Sequence, residues 1–228
     1  MYESLTYDQP VASRYEDLQS EHKKVLEWAG SNKKVLEVGC HTGYLSHWLT
    51  RQNNQVTGLD INMEAIGRAQ QHMHKALVGD IQNPDTWRML AGEKYDVILY
   101  MHVLEHLVDP WKILQESRGL LSEKGRIILA VPNICNFRTR WDIFRGRFNY
   151  TETGVMDRTH LRFFNPETAK QLIEGSGYRI DRYFSPWQTG ILTPFTFLWR
   201  FDELSMRLLK RRPGLTDITM MFQIVPHR

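Results

Sequence analysis

Three acids and three histidines carry the residue types that could do chemistry in this 228-residue chain: Glu37, Asp60, Asp80, His102, His106 and His160. Glu37 lies in the run Val35-Leu36-Glu37-Val38-Gly39-Cys40-His41-Thr42-Gly43-Tyr44-Leu45-Ser46, which is apolar and then broken by two glycines. Leu45, Trp48 and Leu49 follow at helical spacing, so the stretch reads as strand, tight turn and helix. In an open α/β sheet such a turn faces ligands at the carboxyl ends of the strands. A dinucleotide turn needs Gly-x-Gly-x-x-Gly for close approach to a pyrophosphate. Here His41 replaces the middle glycine and Tyr44 stands where a small residue should follow. A carboxylate at Glu37 repels a pyrophosphate and suits a ligand carrying an ammonium or sulfonium cation. Asp60, about 20 residues further on, ends a second strand, where it can accept from both hydroxyls of a ribose. Asp80 ends a third strand and can accept from an adenine amino group, with Ile81 against the ring.

The elements that must position these groups alternate. An amphipathic helix over 13–29 carries Leu18, Val25, Leu26 and Ala29 and closes at Gly30. Strands follow at 35–38, 55–60, 75–79, 94–101 and 126–131, with a helix over 63–71. Asp109 and Pro110 read as a cap and first turn for a helix with Ile113, Leu114, Leu120 and Leu121 on its buried stripe. Residues 132–158 break the rhythm, interleaving Phe137, Trp141, Phe144, Phe148 and Tyr150 with Arg138, Arg140, Arg145 and Arg147; a stretch of this length and content reads as an ordered lid. Asn165-Pro166-Glu167-Thr168 opens another helix, ended by Gly175 and Gly177. Strands at 178–185 and 215–225 complete the chain, with a helix from about 195 between them. The alternation predicts an α/β fold, Rossmann-like, with a seven-stranded mostly parallel sheet, the last strand antiparallel and helices on both faces. One domain spans 1–228, with insertions at about 132–160 and 186–214.

Composition narrows the partners. With 42% hydrophobic and 24% charged residues the chain can bury an ordinary core, and a formal charge of +3 is too weak to argue for nucleic acid. Cys40 and Cys135 are too few for a disulfide framework and point to a reducing, cytoplasmic setting. Residues 1–10 lack a basic segment with an apolar core, so no signal peptide is expected. No uninterrupted apolar run is long enough to span a bilayer; the best, 191–199, is short and broken by Pro194.

Taken together, Glu37-x-Gly39-x-x-x-Gly43, the strand-terminal Asp60, Gly79-Asp80-Ile81, Tyr95-Asp96-Val97-Ile98 and Leu120-x-x-x-x-Gly125 before 127–132 resemble the class I S-adenosylmethionine-dependent methyltransferases. The resemblance covers about 33–185 and implies S-adenosylmethionine as cofactor. It implies that Glu37, Gly39, Cys40 and Gly43 hold the amino-acid end, Asp60 and Ile61 the ribose, and Asp80 and Ile81 the adenine. His41 departs from the family's usual glycine.

Methyl transfer is an in-line displacement in which alignment supplies much of the rate. A hydroxyl acceptor also benefits from a base, most often histidine. His160, in the cluster Asp157-Arg158-x-His160-x-Arg162, is the first candidate, followed by His106 and His102. Arg158 and Arg162 read either as ion-pair partners of Asp157 or as holders of an anionic substrate group. On a helix, His102, Glu105 and His106 would share a face and could, with His160, bind a divalent cation. Metal-assisted O-methyltransferases, including ubiquinone-pathway enzymes and small-RNA 2′-O-methyltransferases, use a similar Glu-x-x-Glu-His arrangement; here His102 takes the place of the first Glu, and a metal-free site is expected.

Aromatic and arginine residues in the lid suit a sugar or quinone-like ring, and Thr-His-Leu-Arg-Phe-Phe resembles methyltransferases of surface polysaccharide synthesis. The expected activity is therefore methylation of a small-molecule or glycan hydroxyl. The alternatives are an amine acceptor, RNA 2′-O-methylation, or a noncatalytic cofactor-binding module. Residues 195–212 read either as a basic amphipathic helix on a membrane or as a cover for the substrate site or a dimer contact, in a monomer or homodimer.

Overall fold

The computed structural model describes residues 15–186, 214–215 and 217–227. Their strands are β1 (Lys34–Val38), β2 (Gln55–Asp60), β3 (Lys75–Val78), β4 (Tyr95–Met101), β5 (Leu121–Pro132), β6 (Tyr178–Phe184) and β7 (Thr219–Pro226). They form one seven-stranded sheet in the order β3-β2-β1-β4-β5-β7-β6. Pairings from β3 through β5 are parallel, and β7 runs antiparallel to both β5 and β6. The chain order reverses between β1 and β4, so the expected ligand edge lies at the carboxyl ends of these two strands.

The helices are α1 (Ser20–Ala29), α2 (Tyr44–Arg51), α3 (Met63–Ala69), α4 (Pro84–Leu90), α5 (Pro110–Ser117), α6 (Phe137–Phe144) and α7 (Pro166–Gly175). Alternation along β4 shows why the central strands are apolar throughout. Ile98 and Tyr100 enter one core with Leu90, Leu114 and Leu172, whereas Val97 and Leu99 enter the other with Leu26 and Leu49. Two buried tyrosine hydroxyls are matched: Tyr178 donates to the Leu114 carbonyl at 2.9 Å, and Tyr100 lies 2.7 Å from Ser117 Oγ.

Three helices begin with an Asn or Asp followed by proline. Asn83 accepts from the Asp85 amide, Asp109 from Lys112, and Asn165 from Thr168 in a reciprocal capping box. The first of these helices, α4, is absent from the sequence reading although Asn83-Pro84 carries the same signature. Other boundaries shift. The helix expected over 13–29 is α1 from Ser20, preceded by a 3-10 turn at Tyr15–Asp17. β5 starts at Leu121 and not at 126, because the residues between are a bulge within the strand. A Cβ on Gly125 would lie 2.9 Å from the Tyr95 carbonyl, so a side chain there would block that pairing. The stretch expected as a lid contains α6, and the helix expected from about 195 lies outside the described residues.

Candidate active site

The turn after β1 is built by backbone conformation. Gly39 (φ +73°) and Gly43 (φ +79°) are left-handed, as glycine allows. A Cβ on Gly39 would lie 2.6 Å from Val103 Cγ2, so a side chain there would force Val103 to shift. His41 is also left-handed, at φ 46°, where a glycine would cost less. Its amide donates to Asp60 Oδ2 at 2.8 Å, which ties the turn to the end of β2. Asp60 Oδ1 accepts from the Asn62 amide at 2.9 Å. Each carboxylate oxygen of Asp60 retains acceptor capacity for a ribose hydroxyl.

Glu37 is buried, and its carboxylate accepts from Ser46 Oγ in the first turn of α2. Burial raises its pKa; the Ser46 bond opposes this and the charge of Asp60 adds to it, so the carboxyl is pushed up to about 8. A buried acid this reluctant to ionise suits a cation brought by a ligand. Cys40 is buried too, and burial pushes its thiol up; its contribution to the turn is its carbonyl, which accepts from Gly43 at 2.9 Å. Asp80 is exposed at the edge, with Oδ1 accepting from Gln82 at 2.8 Å. Ile81 is a core residue, whereas Ile61, next to Asp60, is 52% exposed. Ile61 therefore offers the free apolar surface that the sequence reading gave to Ile81.

The three histidines divide. The stretch after β4 is no α-helix: His102 is left-handed at φ 56°, and Leu104–His106 is a single 3-10 turn. His102, Glu105 and His106 therefore do not share a helical face. His102 Nε2 lies 2.8 Å from Glu21 Oε1 of α1, and its Nδ1 lies 3.4 Å from Glu105 Oε1. Burial works against the charge of His102, but Glu21 and then Glu105 outweigh it and raise the pKa to about 10. With a carboxylate facing each nitrogen, the ring is an imidazolium with no lone pair for a base.

His106 and His160 come together, their ring centroids 4.8 Å apart. Thr159 Oγ1 donates to Asp157 Oδ1 at 2.7 Å, so it accepts from His106 Nδ1 at 3.0 Å. His160 Nδ1 lies 3.2 Å from the Val155 carbonyl, which can only accept. Both rings thus carry their proton on Nδ1 and leave Nε2 with a lone pair. Burial lowers the His160 pKa, Glu105 opposes this, and His106 lowers it further. Glu105 is fully buried, and neither of its carboxylate oxygens has a hydrogen-bond partner among the described residues. One ligand atom from each of Glu105, His106 and His160 lies within 4.8 Å of the other two. Leu161 and Arg162 amides donate to the Glu105 carbonyl at 2.8 and 2.9 Å, which holds the far end of the lid against this turn. Arg158 pairs with Glu152 at 3.0 Å and Arg162 donates to the Val108 carbonyl, so the structure gives both arginines local roles. The sequence reading missed Glu21, Ser46 and Thr159. Only Glu21 leaves a trace in the sequence, as an acid on the apolar stripe between Leu18 and Val25.

This sheet order, with one reversed strand and a Glu-Gly turn at the reversal point, is the architecture of class I S-adenosylmethionine-dependent methyltransferases. The chain matches the methyltransferase-domain family over residues 11–183 and belongs to it. A ubiquinone biosynthesis O-methyltransferase of Histophilus somni is 36% identical over 110 residues, 45% of this chain and 46% of the relative. One from Serratia proteamaculans is 32% identical over 139 residues, 54% of this chain and 58% of the relative. The chain thus spans about half the length of the curated relatives it matches. A SAM-dependent methyltransferase from Archaeoglobus fulgidus shares the fold with a TM-score of 0.63 and 19% identity, covering 89% of this chain and 91% of that one. Magnesium protoporphyrin IX methyltransferase from Synechocystis, crystallised with bound SAH, shares it with a TM-score of 0.59 and 17% identity over 90% and 82%.

Proposed function

We propose that this chain moves the methyl group of S-adenosylmethionine to a hydroxyl of a small molecule or glycan, seated at Glu105, His106 and His160. The observation that carries the reading is the buried Glu105 carboxylate, which makes no hydrogen bond among the described residues and shares its one charged neighbour, His102 at 3.4 Å, with Glu21, beside two imidazoles whose Nδ1 atoms are engaged. A buried carboxylate whose one charged neighbour is shared with Glu21 is costly, and a further cation is the usual compensation. A carboxylate and two imidazoles, each oriented by an acceptor at Nδ1, suit a divalent ion. Such an ion, when bound, lowers the pKa of a coordinated hydroxyl. This replaces the metal-free site expected from the sequence. The O-methylation named for the Histophilus and Serratia relatives supports a hydroxyl acceptor.

The chain's own side chains divide the remaining work. Glu37, with the Gly39 and Gly43 turn, takes the amino-acid end of the cofactor, Asp60 the ribose, and Asp80 with Ile61 the adenine. His106 and His160 hold their Nε2 lone pairs toward the acceptor, and Thr159 fixes the tautomer of His106. His102, already protonated between Glu21 and Glu105, takes no proton. The chain works in the cytoplasm, consistent with its free Cys40 and Cys135. Among the described residues no helix is long and apolar enough to cross a membrane.

A second reading, in which His160 is a general base without metal, follows from its lowered pKa. Methyl transfer from labelled cofactor to phenols, quinols, sugars and amines, with and without EDTA, separates the readings. The metal-assisted reading requires an O-methylated product lost in EDTA and restored by Mg2+ or Mn2+. Activity indifferent to EDTA returns the role to His160, and methylation of amines alone overturns both.

A further inference from the structure

The face of the lid that follows α6 is not explained by the site. Within ten residues it exposes Trp141, Ile143, Phe144, Phe148 and Tyr150, with Phe144 81% exposed and Tyr150 59%. Thr139 is the buried residue of α6. Trp141 stacks on Phe144 at 5.7 Å and Phe148 meets Tyr150 edge-on at 5.8 Å, so the rings form two outward pairs. A clustered apolar patch of this kind marks an interaction surface, unlike single exposed side chains. Arg138, Arg140, Arg145 and Arg147 are exposed among these rings, against one acid, Asp142, within 137–150.

We propose that this patch docks on an anionic lipid bilayer, with Phe144, Phe148 and Tyr150 entering the headgroup region while Arg138, Arg145 and Arg147 meet lipid phosphates. Aromatic side chains settle at the membrane interface, and arginines beside them gain from its negative potential. Charge selects the occupant. A second copy on a two-fold axis would set arginine against arginine, which disfavours self-association. Single-stranded nucleic acid would use the arginines and rings as stacking platforms, but Trp141 and Phe144 already cover one another and Ile143 offers no stacking face. The far end of the same lid carries Thr159 and His160, so docking would turn the site toward the bilayer and favour acceptors held at its surface.

Vesicle flotation of the full chain tests this without using activity, so it stands or falls apart from the proposed reaction. The probes are phosphatidylcholine vesicles with and without phosphatidylglycerol. The wild type should float with the anionic vesicles only, and less as salt rises. Arg145→Gln with Arg147→Gln should weaken partition about thirtyfold, as expected for two interfacial cations. Phe144→Ser with Phe148→Ser should weaken it at least about tenfold. Both variants should bind SAH in calorimetry as the wild type does, which shows the fold intact. Equal binding to neutral vesicles overturns the proposal, as do variants that float like the wild type. A dimer lost in both variants, or tighter binding to a single-stranded oligonucleotide than to vesicles, overturns it in favour of those partners.

Discussion

His102 Nε2 and Glu21 Oε1 lie 2.8 Å apart, joining the turn after β4 to helix α1 across 81 residues of sequence. The other face of the ring meets Glu105 at 3.4 Å. A carboxylate, an imidazolium and a second carboxylate thus stand in a row, and the last one belongs to the proposed acceptor site. Glu21→Gln should destabilise the protein by about 1–2 kcal/mol near neutral pH. That lies between a surface and a buried ion pair, because the His102 side chain keeps 39% of its surface exposed. The sign with pH follows from the raised His102 pKa. Its stabilisation is full below the ordinary histidine value and is lost as pH rises toward about 10. The gap in Tm between wild type and Glu21→Gln should therefore close between neutral and strongly alkaline pH. A gap that widens there would remove the imidazolium from the account.

Glu37 gives a slope of the same sign in a more acid range, because here it is the charged form that the fold disfavours. Its folded pKa of about 8 lies above that of an ordinary carboxyl, so the cofactor-free protein loses stability as pH rises from the acid range through 8. On the proposed role, the cofactor's ammonium needs the ionised form. Below pH 8 its affinity should then rise with pH, by at most about tenfold per unit. Calorimetry in buffers of different ionisation heat should show proton release on binding. Glu37→Gln, neutral throughout, should bind about 10- to 100-fold more weakly above pH 8, the range expected for a lost charged hydrogen bond. It should also show no pH slope. A variant that keeps the wild-type slope would assign the titration elsewhere.

The sequence makes the geometry of the proposed cofactor edge more legible than that of the proposed acceptor site, for a physical reason. Glu37, Gly39, Gly43 and Asp60 lie at strand ends, where a local pattern of apolar run, glycine and acid implies position. The His102, Glu105 and His106 spacing invites a helical reading, which fails because the left-handed backbone at His102 sends its ring to α1. No local rule predicts that partner. Likewise Thr159 orients His106 only because the lid folds back over the turn after β4, with the Leu161 amide on the Glu105 carbonyl. α4 is a different case: its Asn-Pro cap was present to be read, but its short apolar content masked it.

Thr159→Val tests the orientation of His106. It removes the hydroxyl that accepts from Nδ1 at 3.0 Å and leaves the Thr159 carbonyl at 3.3 Å as a poorer acceptor. Losing such an outer partner typically costs about 10- to 100-fold in metal affinity or activity. Mn2+ binding followed by electron paramagnetic resonance should weaken within that range, with SAH binding unchanged. Glu105→Gln should abolish Mn2+ binding. Wild-type Mn2+ affinity in both variants would place the ion, if one binds, outside this cluster.

Gly39 and Val103 supply the last test, because two separable causes forbid a side chain at the turn. A Cβ at Gly39 would meet Val103 Cγ2 at 2.6 Å, and the backbone there is left-handed at φ +73°. Gly39→Ala should cost about 1–2 kcal/mol from conformation alone, and more from the clash. Val103→Ala removes the clashing methyl and leaves the backbone term in place. The double variant Gly39→Ala, Val103→Ala should therefore recover part of the Tm lost in Gly39→Ala, giving a coupling energy of about 0.5–3 kcal/mol in thermal unfolding. On the proposed role of the turn in holding the cofactor, SAH affinity should follow the same order, wild type above the double variant above Gly39→Ala. Strict additivity of the two substitutions would show that the turn relaxes away from Val103, and the close approach would then have no bearing on the cofactor site.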